Sequence, residues 1–185
     1  MADVPRVSET GTVVEQRTTG DRRLSQFSFS RDFSHIAYRV TAPREPGDIW
    51  VSDQEDGEET RLSAVNDVLL AQLELSTPDR LQFMSADGTV IEGWMLPALG
   101  YEAADGPHPM ILQTHGGPHG AYGNSFSFDQ QLLAAQGYMV LYTNPRASTG
   151  YGEDFRWGTW GGWGFNDFED VMAGVDHAIG NYEID

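Results

Sequence analysis

Residues 115–119 read His-Gly-Gly-Pro-His and follow a short, mostly apolar run at 109–114. Paired glycines directly after a buried strand let the backbone turn sharply and bring N–H groups close to a ligand. In hydrolases such a turn makes half of an oxyanion hole: an N–H points at the developing negative charge, and losing one donor typically costs about 3 kcal/mol. The same residues also read as a plain tight turn. His115 and His119 have a zinc-like i, i+4 spacing, but Gly116-Gly117-Pro118 cannot hold the helix that would bring both imidazoles to one face. With no acid-bearing zinc motif nearby, metal binding is not expected.

A second loop, Asn144-Pro145-Arg146-Ala147-Ser148-Thr149-Gly150-Tyr151-Gly152, follows another apolar run at 138–142 and leads into Trp157-Gly158-Thr159-Trp160-Gly161-Gly162-Trp163-Gly164. The Trp-Gly segment reads as irregular structure packed by indole rings, or as an aromatic platform for a ligand. No phosphate-loop signature is present: there is no lysine to reach a phosphate, and neither glycine cluster fits G-x-G-x-x-G. A serine nucleophile on a strand-to-helix turn needs G-x-S-x-G, and that pentapeptide is absent. Gly123-Asn124-Ser125-Phe126-Ser127 lacks the closing glycine, and Ser148 has Arg146 two positions before it. His35 and His177 read as surface residues of a strand and a helix.

Both chemical loops need strands to carry them. The alternating or apolar runs 27–30, 35–40, 48–51 and 60–62 predict four short strands separated by turns at 30–32, 43–47 and 53–57, the pattern of one β-propeller blade or of a lone meander. Runs at 81–85 and 90–96 flank Asp87-Gly88 and predict a hairpin. Beyond it the order is strand 109–114, helix 128–136 closed by Gly137, strand 138–142, then a helix through Ile179 ended by Gly180. Leu132, Leu133 and Gln136 would share a face with Phe128. Phe168, Val171, Val175 and Ile179 would share one face of the last helix, with Asn166 or Asp167 as its cap. A hairpin followed by strand–helix–strand–helix opens an α/β fold with a mainly parallel sheet, and such sheets place their sites where these two loops leave the strands.

Composition narrows the partners. Eleven basic residues against 28 acidic ones give a net charge of −17, and all of the basic residues are arginine. So acidic a surface repels nucleic acid and anionic membranes alike. Self-repulsion on this scale destabilises a compact state unless salt screens it, and in molar salt the screening length is about 3 Å. A halophilic source is the expectation. The absence of cysteine excludes disulfides and thiolate chemistry. The first thirty residues hold no apolar run of the signal-peptide kind, and no stretch approaches the roughly 20 apolar residues of a membrane span. A soluble cytoplasmic protein is expected.

A strand ending in His115-Gly116-Gly117-Pro118, a helix, a strand ending in Asn144-Pro145-Arg146-Ala147-Ser148-Thr149-Gly150-Tyr151-Gly152, a Trp-Gly segment and an Asp-rich helix start resemble the prolyl oligopeptidase family, its acylaminoacyl peptidase branch above all. The resemblance runs from about Gly20 to Asp185. It implies the last blade of a β-propeller with its linker at 1–78, and the N-terminal part of an α/β-hydrolase domain at 79–185. It further implies that the Gly117 backbone N–H serves the oxyanion hole, that His115 stands where prolyl oligopeptidase has a tyrosine in that role, and that Pro118 and His119 border the substrate pocket. No cofactor is implied. The family's Ser, Asp and His would lie past Asp185, so the chain is expected to be an inactive fragment of a peptidase for short or acylated peptides, aggregating unless a C-terminal polypeptide complements it. An esterase, or a non-catalytic interaction module, is the alternative; a carbohydrate-binding surface of Trp157, Trp160 and Trp163 is a further one. Ala147 departs from the family's usual glycine, which matters only if its φ is positive.

The charge reading predicts a melting temperature that rises steeply between low and molar potassium chloride, measured by circular dichroism. A salt-independent melting temperature would contradict it.

Overall fold

The computed structural model describes residues 5–7, 14–16 and 18–185. The chain forms two compact units, Met1–Leu73 with Gly123–Ser127, and Glu74–Tyr122 with Phe128–Asp185. No helix among the described residues is long and apolar enough to cross a membrane.

In the first unit, β1 (Pro5–Val7) pairs antiparallel with β2 (Val14–Gln16). A four-stranded antiparallel meander follows: β3 (Arg23–Phe29), β4 (His35–Ala42), β5 (Glu45–Asp53) and β6 (Glu59–Arg61), paired in sequence order. Alternation along β4 turns Ile36, Tyr38 and Val40 to one face, where they pack with Leu24 and Trp50. The turn expected at 43–47 is shorter than that, because β5 already begins at Glu45. Gly47 permits this. The Arg39 guanidinium lies where a Gly47 side chain would be, and its Nη2 donates to the Pro46 carbonyl at 2.7 Å. A one-turn helix, α1 (Asp67–Leu70), ends the unit's first segment.

The second unit is built on a mixed sheet of order β7-β8-β10-β9, with β7 (Asp79–Met84), β8 (Val90–Leu96), β9 (Met110–Gln113) and β10 (Met139–Asn144). The first two form the expected hairpin, β8 pairs antiparallel with β10, and β9 runs parallel to β10. All six residues of β10 are buried, as befits a central strand covered on both faces. Leu81, Phe83, Ile91, Met95, Met139 and Leu141 pack under α4 (Asn166–Asn181) on one side. Trp94, Leu96, Val140 and Tyr142 pack under α2 (Phe128–Ala135) on the other. Near the end of the chain, His108 N–H donates to Glu183 and Asp185 N–H donates to His108, so these residues run beside one another in parallel.

Both longer helices turn inward only part of the face that their apolar spacing suggests: Leu133 and Val175 pack on the two cores. In α2, Phe128 and Leu132 are exposed, while Gln130, Gln131 and Ala134 are buried. Gln131 faces inward because it clamps Ser76, accepting from its N–H and donating to its carbonyl, both at 2.9 Å. In α4, Phe168 and Ile179 are exposed, and the buried line is Asp170, Gly174, Ala178. That line holds the helix close to the sheet: a methyl at Gly174 would stand 2.8 Å from Phe83 Cζ. Phe165 occupies the N-cap position without a side-chain bond, and Gly180 lies inside the helix, since the next residue still belongs to it.

Candidate functional site

The two loops singled out by sequence leave the C-terminal ends of adjacent parallel strands and meet there. Thr149 N–H donates to the Gly120 carbonyl at 2.9 Å. His119 Nδ1 lies 3.0 Å from the Ala147 carbonyl; a carbonyl only accepts, so this nitrogen carries a proton. His115 Nε2 lies 2.9 Å from Ser148 Oγ, whose own hydrogen goes to the Pro145 carbonyl at 2.6 Å. Below them the buried Asn144 side chain accepts from Tyr122 N–H at 2.7 Å and donates to the Tyr122 carbonyl at 3.0 Å. The two loops thus form one hydrogen-bonded rim.

The rim is anchored by a buried ion pair. Arg146 donates through Nε to Asp170 Oδ2 at 2.9 Å and through Nη2 to Oδ1 at 2.7 Å, a two-pronged contact. The same carboxylate accepts the Arg146 backbone N–H at 2.8 Å. A further arm of the guanidinium, Nη1, binds Asp87 in the β7–β8 turn, and Nη2 also reaches Ser85 Oγ at 3.4 Å. Hydrogen bonds from Thr89, with Arg146 adding to them, hold the Asp87 carboxyl down at about 2. Sequence reading gave Arg146 no duty. The signals were a lone arginine, an Asp-Gly turn 59 residues earlier and an acid-rich helix start 24 residues later, separations across which sequence alone shows no pairing.

Gly116 and Gly117 are exposed at the rim. Gly117 has φ +142°, and a side chain on it would meet Gly120 N at 2.7 Å and His119 N at 2.8 Å, so the loop closes on itself only with glycine there. Its N–H has no hydrogen-bond partner among the described residues. Of the residues expected to form the site, His115, Gly117, Pro118 and His119 therefore lie together on one loop. The two imidazoles are committed to Ser148 and Ala147, and among the described residues no group of three His, Cys, Asp or Glu is placed to hold a metal. The Trp-Gly segment departs from one of its readings: the indoles do not pack its interior. Trp157, Trp160 and Trp163 are 45%, 82% and 65% exposed, and the loop is held by backbone turns instead.

Residues 124–185 match the model of the prolyl oligopeptidase family. The matches support that family for this chain. The uncharacterized peptidase YuxL of Bacillus subtilis is 38% identical over 156 residues, which is 84% of this chain and 23% of that protein. The acylamino-acid-releasing enzyme of Arabidopsis thaliana is 44% identical over 71 residues, 38% of this chain and 9% of its own length. Among solved structures, the acylaminoacyl peptidase of Pyrococcus horikoshii superposes with a TM-score of 0.83 at 28% identity, covering 93% of this chain and 27% of that one. An acylaminoacyl peptidase in complex with Z-Gly-Gly-Phe-chloromethyl ketone gives 0.84 at 28% identity, covering 94% and 27%. The chain thus spans less than a quarter of the curated relatives and about a quarter of the structures.

Ala147 has φ +84° and is buried beside this rim. An L-residue pays roughly 1–2 kcal/mol in that region, whereas glycine pays a smaller entropic cost in the unfolded chain. Ala147→Gly is therefore expected to stabilise the chain by about 0.5–1 kcal/mol in urea unfolding. A loss of stability would show that the methyl's packing outweighs the backbone strain.

Proposed function

We propose that this chain carries the oxyanion side of a serine-type peptidase site, on the opening part of an α/β-hydrolase domain at residues 79–185 that follows a terminal propeller blade and linker at 1–78. The whole enzyme would hydrolyse short or N-acylated peptides through an acyl-enzyme. The observation that carries this reading is that exposed Gly117, at the carboxyl end of a parallel strand pair, has an N–H with no partner among the described residues. When a hydroxyl attacks a peptide carbonyl there, the carbonyl oxygen becomes negative, and a donor already fixed in place stabilises it without reorganising. His115, tied to Ser148, stands beside that donor, and Pro118 and His119 border the substrate.

No G-x-S-x-G occurs in these residues, so the attacking serine, its histidine base and the orienting aspartate would come from polypeptide outside them. An arginine-only basic set and the charge of −17 support a salt-rich cytoplasm as the setting.

The test is the protein expressed from its entire reading frame and assayed in molar potassium chloride against N-acetyl-alanine p-nitroanilide, short peptides and a p-nitrophenyl ester. Peptide turnover, blocked by a fluorophosphonate that labels one serine, is the expected result, with no labelling of residues 1–185 alone. Ester turnover without peptide turnover would replace the peptidase with an esterase, and no labelling of the full product would remove the hydrolase reading.

A further inference from the structure

The turn that carries Gly117 ends at Tyr122, and the residues that follow, Gly123–Ser127, belong to the first unit. A donor that must stay within about 0.5 Å of its working position needs a fixed point where its loop leaves. Asn144 supplies that point. Its buried side chain accepts the Tyr122 N–H at 2.7 Å and donates to the Tyr122 carbonyl at 3.0 Å, so one amide holds both polar groups of one backbone residue. Turned over, the amide would set its own N–H groups against the Tyr122 N–H, so these partners admit a single orientation.

The second hydrogen of that NH2 goes to Tyr151 Oη at 2.6 Å. The hydroxyl's own hydrogen then goes to Glu92 Oε2, and the other Glu92 oxygen receives Arg80 Nε. Glu92 stands opposite Asn144 in the β8–β10 register, so the two side chains share one face of the sheet and the phenol bridges them. Every donor in this chain of bonds has one acceptor to meet. Burial, with the Glu92 carboxylate beside it, pushes the Tyr151 phenol well above its ordinary range, so the hydroxyl keeps the hydrogen that this order requires. The Tyr151 ring packs on Phe155 with centres 5.0 Å apart. A phenylalanine would fill the same space, yet it would leave one hydrogen of the buried Asn144 amide without an acceptor. An amide in that position gains by rotating or by drawing in water, and either change loosens its hold on Tyr122.

We infer that Tyr151 is a positioning residue: with Glu92 taking its hydrogen, its hydroxyl holds the Asn144 amide on Tyr122 and so steadies the turn that presents the Gly117 N–H. The catalytic consequence rests on the peptidase reading; the clamp itself does not.

The experiment compares Tyr151→Phe with the parent protein, both expressed from the entire reading frame and kept in molar potassium chloride. The readouts are hydrogen–deuterium exchange by mass spectrometry and kinetics on N-acetyl-alanine p-nitroanilide. Exchange at the Tyr122 amide should quicken about 10-fold while β10 keeps its protection, and kcat should fall about 10-fold with KM within about 2-fold. Asn144→Asp is the second variant. Ionised, its carboxylate sets an acceptor against the Tyr122 carbonyl; protonated, it donates there as the amide does. Measured against the parent at each pH, its defects in exchange and kcat should therefore shrink as pH falls, a trend absent from Tyr151→Phe. Unchanged exchange at Tyr122 in Tyr151→Phe, faster exchange spread evenly through β10 and the turn, a raised KM with kcat intact, or an Asn144→Asp defect indifferent to pH would each overturn the proposal. Faster exchange at Tyr122 in Tyr151→Phe, with no peptide turnover by the parent, would uphold the clamp and count against the peptidase reading alone.

Discussion

Asp170 is completely shielded from solvent, and the partner that makes its charge tolerable is Arg146. Removing two such ions from water costs several kcal/mol each, and only close, multiply bonded geometry recovers that cost. Here the carboxylate receives the guanidinium on both oxygens and the Arg146 backbone N–H as well, while the remaining nitrogen, Nη1, goes to Asp87 and Nη2 also reaches Ser85. Three distant segments are fixed by one side chain: the turn of the first hairpin, the loop after the central strand, and the long helix. A pair of this kind contributes little net stability compared with apolar residues of the same volume, but it tolerates one arrangement of its partners and penalises the others. That selectivity is what the rim needs, because Ala147, Ser148 and Gly158 all hang from Arg146 or its neighbours.

From this anchor the site can be followed outward. Ser148 holds His115, Ala147 holds His119, and Gly120 receives Thr149, so the turn containing Gly117 is positioned by the loop opposite it. Gly117 then presents an N–H with no partner among the described residues, and the Trp segment begins on the other side of Pro118 and His119.

The fold's strands were legible because they rest on local pattern. Alternation exposed β4, the Asp87-Gly88 turn exposed the first hairpin, and an unbroken apolar run exposed β10. The helices were legible as helices, but their buried faces only in part, through Leu133 and Val175. Apolar spacing pointed to Phe128 and to Phe168, whereas the structure buries Gln131 for its bonds to Ser76 and Asp170 for its bond to Arg146. Polar partners far away in sequence decided both faces. The site divides in the same way. His115, Gly117, Pro118 and His119 were visible as a motif on one turn, while the arginine that positions the opposing loop, and the outward stance of the indoles, depended on contacts that only the folded chain makes.

A double-mutant cycle across Arg146 and Asp170, read by urea unfolding, tests the anchoring role most directly. Arg146→Met alone should cost about 3–5 kcal/mol, because it leaves the buried Asp170 charge without its partner; Asp170→Leu should cost less, because Asp87 still pairs with Arg146, and the double variant should lose far less than the sum. Losses that simply add, or an Arg146→Met variant that costs under about 1 kcal/mol as an exposed pair would, would contradict the account.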